Sequence, residues 1–294
     1  MTPPTEWTLD GRTRPRVVVL AAVNRPRVRA ELGEIHALLS QHADILAIDQ
    51  QQSFSFDRQS VDLVVVLGGD GSILSAARQM GLNQCPVIGV NLGRLGFLAA
   101  IGQNQLAKLW PQICAGEFPV VEHVMLDCSV FRQTVLVDHQ LGLNEAAILG
   151  GPPFTMLQID LFVDGEMAST YSCDGLIIST PVGSTAHNLS AGGPILHRSL
   201  QALVVSPISP HTLTMRPVVD SADRVFELVV RQGHETTTAV VDGRVQSMLQ
   251  VGDRFCVKRA PVSFKMVAIP GKSEYQTLRE KLGWGDNPRE KPHE

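Results

Sequence analysis

Hydrophobic and polar positions follow two different patterns along the chain, and the change between them falls near Gly116. Before that residue, apolar runs such as Val61–Leu67 alternate with amphipathic stretches such as Val28–His42. Short apolar runs predict buried strands, and helical spacing predicts helices that cover them. The first part of the chain therefore predicts an α/β domain, built on a parallel sheet with helices on both faces.

After Gly116 the chain consists mainly of short runs rich in Val, Thr, Ile and Phe. They are separated by turn pairs, namely Asp164-Gly165, Asp174-Gly175 and Asp242-Gly243. Such runs are typical of strands, and Asp-Gly pairs are typical of turns between them. We expect a β-rich, β-sandwich-like C-terminal domain. Near the end of the chain, Tyr275–Leu282 regains helical spacing.

Composition excludes several classes of protein. Of the 294 residues, 44% are hydrophobic and 18% are charged, and the formal net charge is -4. These values argue against a disordered chain and against a nucleic-acid partner held by bulk positive charge. No apolar run approaches the roughly 20 residues of a membrane helix, so we expect no membrane partner. The five cysteines form no Cys-x-x-Cys pair, which predicts free thiols and a cytoplasmic protein.

The first candidate site is the segment Gly68-Gly69-Asp70-Gly71-Ser72, which lies between an apolar run and a stretch with helical spacing. Glycines at a strand-to-helix turn let a phosphate approach the backbone, and the helix that follows offers free N–H groups. The turn contains Asp70 and no lysine, although a carboxylate repels phosphate. Such a carboxylate suits a general base for a hydroxyl proton, or a metal ligand. An ordinary tight turn with Ser72 as N-cap is the alternative.

Three further segments stand out. The loop Asn91–Leu98 has two glycines beside Phe97, where a flat ring could pack, although an ordinary structural loop is the simpler explanation. The pair Asn144-Glu145 interrupts an apolar stretch, so the glutamate either meets a partner such as a ribose diol or an amine, or sits at a strand end. The segment Asp174–Pro194 ends in a loop of small hydroxyl and Gly residues, the composition of a cradle for a sugar-phosphate ligand.

Other catalytic patterns fail. His234-Glu235 begins like a zinc-binding helix, but Thr238 occupies the place of the second His. The sequence has no Gly-x-Ser-x-Gly and no complete Gly-x-Gly-x-x-Gly, and its nine histidines do not cluster at metal-ligand spacing. The four segments above therefore carry the functional argument.

Together with Pro207–Pro217 and the ending Leu278–Trp284, these segments resemble the NAD kinase family over roughly residues 16–284. The Gly-Gly-Asp-Gly turn alone also resembles diacylglycerol kinases and phosphofructokinases. The resemblance implies transfer of the γ-phosphoryl of ATP to the 2'-hydroxyl on the adenosine ribose of NAD, which gives NADP. It also implies a divalent cation, for which we expect Mg²⁺, small-molecule partners only, and a homodimer or homotetramer.

With this resemblance, the chain is expected to divide into five parts. Residues 1–15 form a mobile arm, 16–115 the α/β domain with the glycine turn, and 116–262 the β-rich domain that binds NAD. Residues 263–284 return to the N-terminal domain, and residues 285–294 form a frayed tail.

The resemblance also assigns roles to residues. Asp70 is the catalytic carboxylate, acting as general base or linked to the metal, which is itself held mainly through nucleotide phosphates. The phosphate loop for ATP consists of Gly68, Gly69, Gly71 and Ser72. The residues assigned to NAD are Asp70, Gly71, Phe97, Asn144, Glu145, Asp174, Thr185, Ala186, His187, Asn188 and Ser190.

Three positions depart from the family's usual pattern: His187, Ser172 and Arg244 stand where relatives often have Tyr, a basic residue and Gln. At these three positions the resemblance does not define the contacts with the dinucleotide. Two other functions are alternatives, a lipid or sugar kinase with the same turn and a sensor that binds NAD without turnover. The polar segment Asp174–Pro194 argues against the first, and the presence of Asp70 argues against the second.

Overall fold

A computed structural model of the chain describes residues 12–21, 26–93, 96–99, 101–152, 156–269, 271 and 273–284. The tail expected at 285–294 lies outside these residues, as do most of the arm expected at 1–15 and residues 94–95 of the second candidate segment. Within the arm, the guanidinium of Arg14 donates hydrogen bonds to the carbonyls of Ser40 and Ala43. Among the described helices, none combines the length and hydrophobicity that crossing a bilayer requires.

Five α-helices and nineteen strands form the described part of the chain. The helices are α1 (Pro26–Leu39), α2 (Asp70–Met80), α3 (Gln103–Cys114), α4 (His187–Ser190) and α5 (Glu274–Leu282), and a short 3₁₀ helix spans Gly183–Thr185. The first strands are β1 (Arg16–Ala21), β2 (Asp44–Asp49), β3 (Leu63–Leu67), β4 (Val87–Asn91), β5 (Ile101–Gly102) and β6 (Val120–His123). They are followed by β7 (Leu126–Arg132), β8 (Val135–Gly142), β9 (Glu145–Leu149), β10 (Leu157–Val163), β11 (Glu166–Cys173), β12 (Gly175–Ser179) and β13 (Ala202–Ile208). The last are β14 (Val218–Ser221), β15 (Phe226–Gln232), β16 (Thr238–Val241), β17 (Arg244–Met248), β18 (Arg254–Arg259) and β19 (Phe264–Val267).

The chain divides into two compact units. The α/β unit contains the described residues of 12–73, 86–121 and 266–284, and the β unit contains residues 74–85 and the described residues of 122–265. The later turns of α2 thus group with the β unit. The five-part division expected from the sequence stays a prediction.

Seven of the described strands form the sheet of the α/β unit, in the order β2-β1-β3-β4-β19-β6 with β5 beside β4. Strands β2, β1, β3 and β4 run parallel, and the register places Leu20 opposite Asp49 and Ala21 opposite Leu67. The carboxyl ends of β2, β1 and β3 therefore lie side by side at one edge of the sheet. Open parallel sheets usually bind their ligands at this edge.

Packing explains why the apolar runs of the α/β unit became strands. Strand β3 is buried at every position, as expected for a central parallel strand. Helices α1 and α3 contribute Ile35, Leu39 and Trp110 to the core that this sheet forms. Nε1 of Trp110 also donates a hydrogen bond of 3.0 Å to the carbonyl of Leu39, which ties α3 to α1.

The β unit is a sandwich, which confirms the fold class expected for the second part of the chain. Its two antiparallel sheets, formed by described strands, have the orders β11-β10-β15-β18-β7-β8 and β14-β13-β12-β9-β16-β17. Alternate residues of these strands face a single core; along β7 they are Leu126, Cys128 and Val130. This alternation is the pattern of a strand buried on one face.

Two of the three Asp-Gly pairs form hairpin turns. Asp164 and Gly165 have φ of 50° and 82°, and Asp242 and Gly243 have φ of 48° and 71°. Positive φ at both positions is characteristic of the two-residue turn that joins antiparallel strands. The third pair, Asp174-Gly175, stands instead where the chain leaves one sheet at β11 and enters the other at β12.

Candidate active site

The glycine turn joins the end of β3 to the start of α2. A Cβ on Gly68, whose φ is 152°, would lie 2.2 Å from Oγ of Ser72, so only glycine fits. A Cβ on Gly71 would meet no described atom within 4 Å, so the space beside this backbone is open. Helix α2 begins at Asp70, and the first N–H groups of a helix have no partner within it. Ser72 lies inside this first turn and is therefore not its N-cap.

Asp70 binds the second candidate segment. Its Oδ2 accepts the N–H of Phe97 at 2.8 Å, and its Oδ1 accepts the N–H groups of Leu98 at 2.8 Å and Ala99 at 3.2 Å. A Cβ on Gly96 would lie 2.0 Å from Oδ1, so glycine lets the loop close on the carboxylate. A carboxylate has about four acceptor sites. Among the described residues, one site on Oδ2 therefore remains available for a ligand.

The pair Asn144-Glu145 lies where β9 begins, in the β unit. The side chain of Glu145 is buried, and its Oε2 has no hydrogen-bond partner among the described residues. The Oδ1 of Asn144 is also buried without a described partner. Because such atoms are rare in folded proteins, these two oxygens point to a ligand that brings its own donors.

Protonation of Glu145 follows from its surroundings. Burial, and to a smaller extent the nearby charge of Asp242, raises the pKa of this carboxyl to about 8, although the backbone N–H of His187 acts in the opposite direction. At neutral pH the carboxyl is therefore mostly protonated, so it can donate one hydrogen bond as well as accept others.

Asp242, at the tip of the β16–β17 hairpin, fixes the backbone of the Asn144-Glu145 pair. Its Oδ1 accepts the N–H groups of Leu143 at 3.0 Å, Asn144 at 2.7 Å and Glu145 at 3.3 Å. Burial raises the pKa of the Asp242 carboxyl, whereas these N–H groups and the charge of Arg78 lower it. The sequence did not identify Asp242 as a site residue, because an Asp-Gly pair indicates a hairpin. It gave no sign of Arg78 either, which lies in α2. A polar residue directly after the apolar end of a strand was the signal available.

The loop after β12 is tightly built around Asn188, which is completely buried. Its Nδ2 donates to the carbonyls of Ser184 at 3.1 Å and Pro194 at 2.9 Å, and its Oδ1 accepts the hydroxyl of Ser206 at 2.7 Å. A Cβ on Gly193 would lie 2.0 Å from Oδ1. The amide of Asn188 thus shapes the loop from inside.

The same loop reaches the Asn144-Glu145 pair. Gly183 packs on the backbone of Asn144, where a Cβ would lie 2.1 Å from the carbonyl oxygen. The backbone N–H of His187 lowers the pKa of the Glu145 carboxyl, and burial lowers the pKa of the His187 ring. The remaining loop residues are half-buried or exposed: Thr185, Ala186 and Ser190.

Asp174 lies further along the β unit, exposed at the end of β11. Nε2 of His211 is 3.6 Å from its carboxylate, and the N–H of His211 donates to the carbonyl of Ser172 at 2.9 Å. His211 belongs to the segment Pro207–Pro217, and its position there did not indicate a role. The site residues thus form two groups. The glycine turn and the loop at Phe97 belong to the α/β unit, and the residues around Asn144-Glu145, with Asp174, belong to the β unit.

Sequence comparison identifies both parts of the chain. The ATP-NAD kinase N-terminal domain matches residues 29–118, and the ATP-NAD kinase C-terminal domain matches residues 143–269. The NAD kinase of Rhodopirellula baltica is 54% identical over 279 residues, which cover 95% of this chain and 89% of the relative. The NAD kinase of Geotalea daltonii is 40% identical over 228 residues, which cover 78% of this chain and 80% of the relative.

Solved structures show the same fold. Yeast NADH kinase complexed with NADH superposes with a TM-score of 0.86 at 24% identity, covering 99% of this chain and 95% of that one. An NAD kinase from Archaeoglobus fulgidus in complex with ATP superposes with a TM-score of 0.74 at 26% identity, covering 91% and 98%. With both domains matched and more than half of its residues identical to those of one relative, the chain belongs to the ATP-NAD kinase family.

Proposed function

We infer that the chain works as an NAD kinase, which transfers the γ-phosphoryl of ATP to the 2'-hydroxyl on the adenosine ribose of NAD and gives NADP. One observation of the geometry carries this inference: the buried oxygens of Asn144 and Glu145 lack partners among the described residues. The hydroxyls of a ribose and the amine of an adenine would supply the missing donors. The two matched family domains support the same activity.

Asp70 would act on the acceptor. Phosphoryl transfer depends mainly on positioning and on neutralising charge, so one carboxylate beside the acceptor hydroxyl suffices as base. The free acceptor site on Oδ2 can take the hydroxyl proton, while the bonds from Phe97, Leu98 and Ala99 fix the carboxylate. The N–H groups at the start of α2 and the open space at Gly71 would receive the phosphates, with Gly68, Gly69 and Ser72 completing the turn.

The remaining residues would bind and orient NAD. Asn144 and Glu145 would hold the ribose and adenine, and Asp242 would fix their backbone. Asp174 would meet a polar group further along the dinucleotide, and Phe97 would lie against a ring of the substrate. The loop residues proposed to line the pocket are Thr185, Ala186, His187 and Ser190, with Asn188 shaping the loop beneath them.

We expect Mg²⁺ to bind at this site together with the phosphates of the nucleotide. Among the described residues, no group of three or more His, Cys, Asp or Glu side chains could hold a metal ion. Mg²⁺ is commonly bound by one or two carboxylates together with substrate phosphates. The ion would be held mainly through the nucleotide phosphates and would neutralise their charge, because the one available acceptor site of Asp70 serves the hydroxyl proton.

The protein would act in the cytoplasm as a homodimer or homotetramer. The five cysteines are free thiols, and four of them are buried, which suits a reducing compartment. Closed symmetric assemblies are the usual form of soluble oligomers.

Formation of NADP from NAD and ATP with Mg²⁺, followed by chromatography on the purified protein, tests this function. We expect NADP as the product, and no phosphorylation of sugars or diacylglycerol under the same conditions. NAD binding by calorimetry without turnover would favour the sensor instead. Phosphorylation of a sugar or lipid in place of NAD would overturn the proposed acceptor.

A further inference from the structure

Two residues bond the whole backbone of the segment Leu143-Asn144-Glu145. The carboxylate of Asp242 accepts the three N–H groups of the segment, and the N–H of Asp242 donates to the carbonyl of Glu145 at 2.9 Å. Thr180 bonds the other two carbonyls. Its hydroxyl donates to the carbonyl of Leu143 at 2.7 Å, and its N–H donates to the carbonyl of Asn144 at 2.9 Å. The six backbone polar groups of the segment are thus all bonded within the protein.

The side chains of this segment differ from its backbone. Oδ1 of Asn144 and Oε2 of Glu145 are buried and have no hydrogen-bond partner among the described residues. A buried oxygen without a donor costs free energy, so a movable chain would turn it toward a protein donor. Because the bonded backbone fixes where both side chains begin, it limits where these oxygens lie and keeps them available to a ligand that brings donors.

The hydroxyl of Thr180 also connects this segment to the loop after β12. Thr180 is completely buried. While its Oγ1 donates to Leu143, the same atom accepts the N–H of Gly183 at 3.1 Å. A hydroxyl has one donor and two acceptor sites, so it can make both bonds at once. Because threonine is branched at Cβ, few rotamers are open to it, which fixes the direction of Oγ1.

We propose that Thr180 is a positioning residue for NAD. Its hydroxyl holds the Asn144-Glu145 pair and the loop after β12 in the arrangement that binds the adenosine part of the dinucleotide, and it does not touch the substrate. This proposal rests on the proposed function, because it takes NAD as the ligand of the pair. Burial of a side chain of this shape serves the fold, whereas the hydroxyl serves binding.

Thr180→Val tests the proposal, because valine keeps the shape of threonine and removes the hydroxyl. The dissociation constant for NAD, measured by calorimetry, should rise roughly 10-fold, which corresponds to about 1.4 kcal/mol. The KM for ATP should stay unchanged. Thr180→Ser retains the hydroxyl and should restore the affinity for NAD.

Thr237→Val is the matched control. Thr237 is also completely buried in the β unit, and its Oγ1 accepts the N–H of His234 at 2.9 Å. This variant should lower the free energy of unfolding, as Thr180→Val does, and leave the affinity for NAD unchanged. Equal affinities in Thr180→Val, Thr237→Val and the wild type would overturn the proposal, as would a Thr180→Ser protein that binds as weakly as Thr180→Val. A wild-type protein that binds no NAD would overturn the proposed function as well.

Hydrogen exchange of the unmodified protein gives a second test, which does not depend on a variant that folds. NAD should slow exchange of the amides of Asn144 and Gly183 together, because one hydroxyl connects the segment to the loop. The amide of His234, which bonds to Thr237, should exchange at the same rate with and without NAD. Slower exchange at Asn144 with no change at Gly183 would overturn the proposal and leave the proposed function standing.

Discussion

The carboxylate of Asp70 binds a neighbouring loop and keeps one acceptor site for a ligand, and all of these residues belong to the α/β unit. Three backbone N–H groups of the loop Phe97–Ala99 bind it, and one acceptor site remains on Oδ2. The same bonds that fix the loop also fix the direction in which the remaining site points. A side chain held this way does not have to be ordered again when a substrate binds, which preserves binding free energy for the reaction.

Gly96→Ala should disturb this arrangement, because its Cβ would lie 2.0 Å from Oδ1 of Asp70. We expect NADP formation to fall about 10-fold or more, and the free energy of unfolding to fall by about 1 to 3 kcal/mol as hydrogen bonds of the carboxylate are lost. Gly33→Ala in α1 is the control, since its Cβ would meet no described atom within 4 Å. It should keep full activity and gain up to about 1 kcal/mol. Indistinguishable behaviour of the two variants in rate and thermal unfolding would contradict the account.

Glu145 makes stability depend on pH. Its pKa is about 8 in the folded protein and 4.5 in the reference state, so between these values the folded protein holds a proton that the unfolded chain has lost. The contribution of Glu145 to the free energy of unfolding is fully present below pH 4.5, and it is lost as pH rises through the folded pKa of about 8. The loss has a slope of at most about 1.4 kcal/mol per pH unit.

Glu145→Gln removes this dependence, since an amide has no proton to lose in this range. The variant should therefore gain in free energy of unfolding over the wild type between about pH 5 and about pH 8. Urea titrations at the two pH values measure the gain. A constant difference between the two proteins at both values would show that Glu145 is already ionised in the folded state.

At the scale of elements, one indole adds a hydrogen bond to the apolar contact between α1 and α3. Trp110 is fully buried, and its N–H is the donor to the carbonyl of Leu39. Trp110→Phe removes this bond while the N–H groups of His42 and Ala43 still donate to the carbonyl, so we expect a loss of about 0.5 to 1.5 kcal/mol in unfolding free energy. Trp284→Phe, at a residue that is 47% exposed, should change it by less than about 0.5 kcal/mol. Denaturant unfolding compares the two, and equal losses would remove the role given to this bond.

Local pattern predicts the elements well, because strands and helices depend on neighbouring residues. The stretch Val28–His42 predicts a helix, and α1 occupies Pro26–Leu39. The run Val61–Leu67 predicts a strand, and β3 occupies Leu63–Leu67. The β-rich second part likewise became a sandwich, as its alternation and turn pairs indicate.

Contacts between distant loops could not be predicted in the same way. The bond from Phe97 to Asp70 joins residues 27 positions apart, and the bond from Asn144 to Asp242 joins residues 98 positions apart. Periodicity contains no information about which loop meets which carboxylate. The role of Asp242 therefore emerged only from the fold, although the residue is visible in the sequence.

At the scale of the whole molecule, we expect assembly into a homodimer or homotetramer. Strand β8 is an edge strand of its sheet, and it exposes Val135, Leu136 and Val137 in succession. Exposed apolar residues on an edge strand are usually covered by another chain or kept apart by charge. Light scattering coupled to size exclusion should give two or four times the chain mass of 31.9 kDa. A single-chain mass at every concentration would contradict the expectation.

Turnover of Asp70→Asn shows whether the carboxylate of Asp70 is the base that accepts the hydroxyl proton. General-base assistance contributes about 10²- to 10⁴-fold, so NADP formation should fall by at least that factor while circular dichroism stays that of the wild type. Asp44→Asn, at an exposed carboxylate of β2, should keep full turnover. A folded Asp70→Asn protein that forms NADP at nearly the wild-type rate would exclude Asp70 as the base.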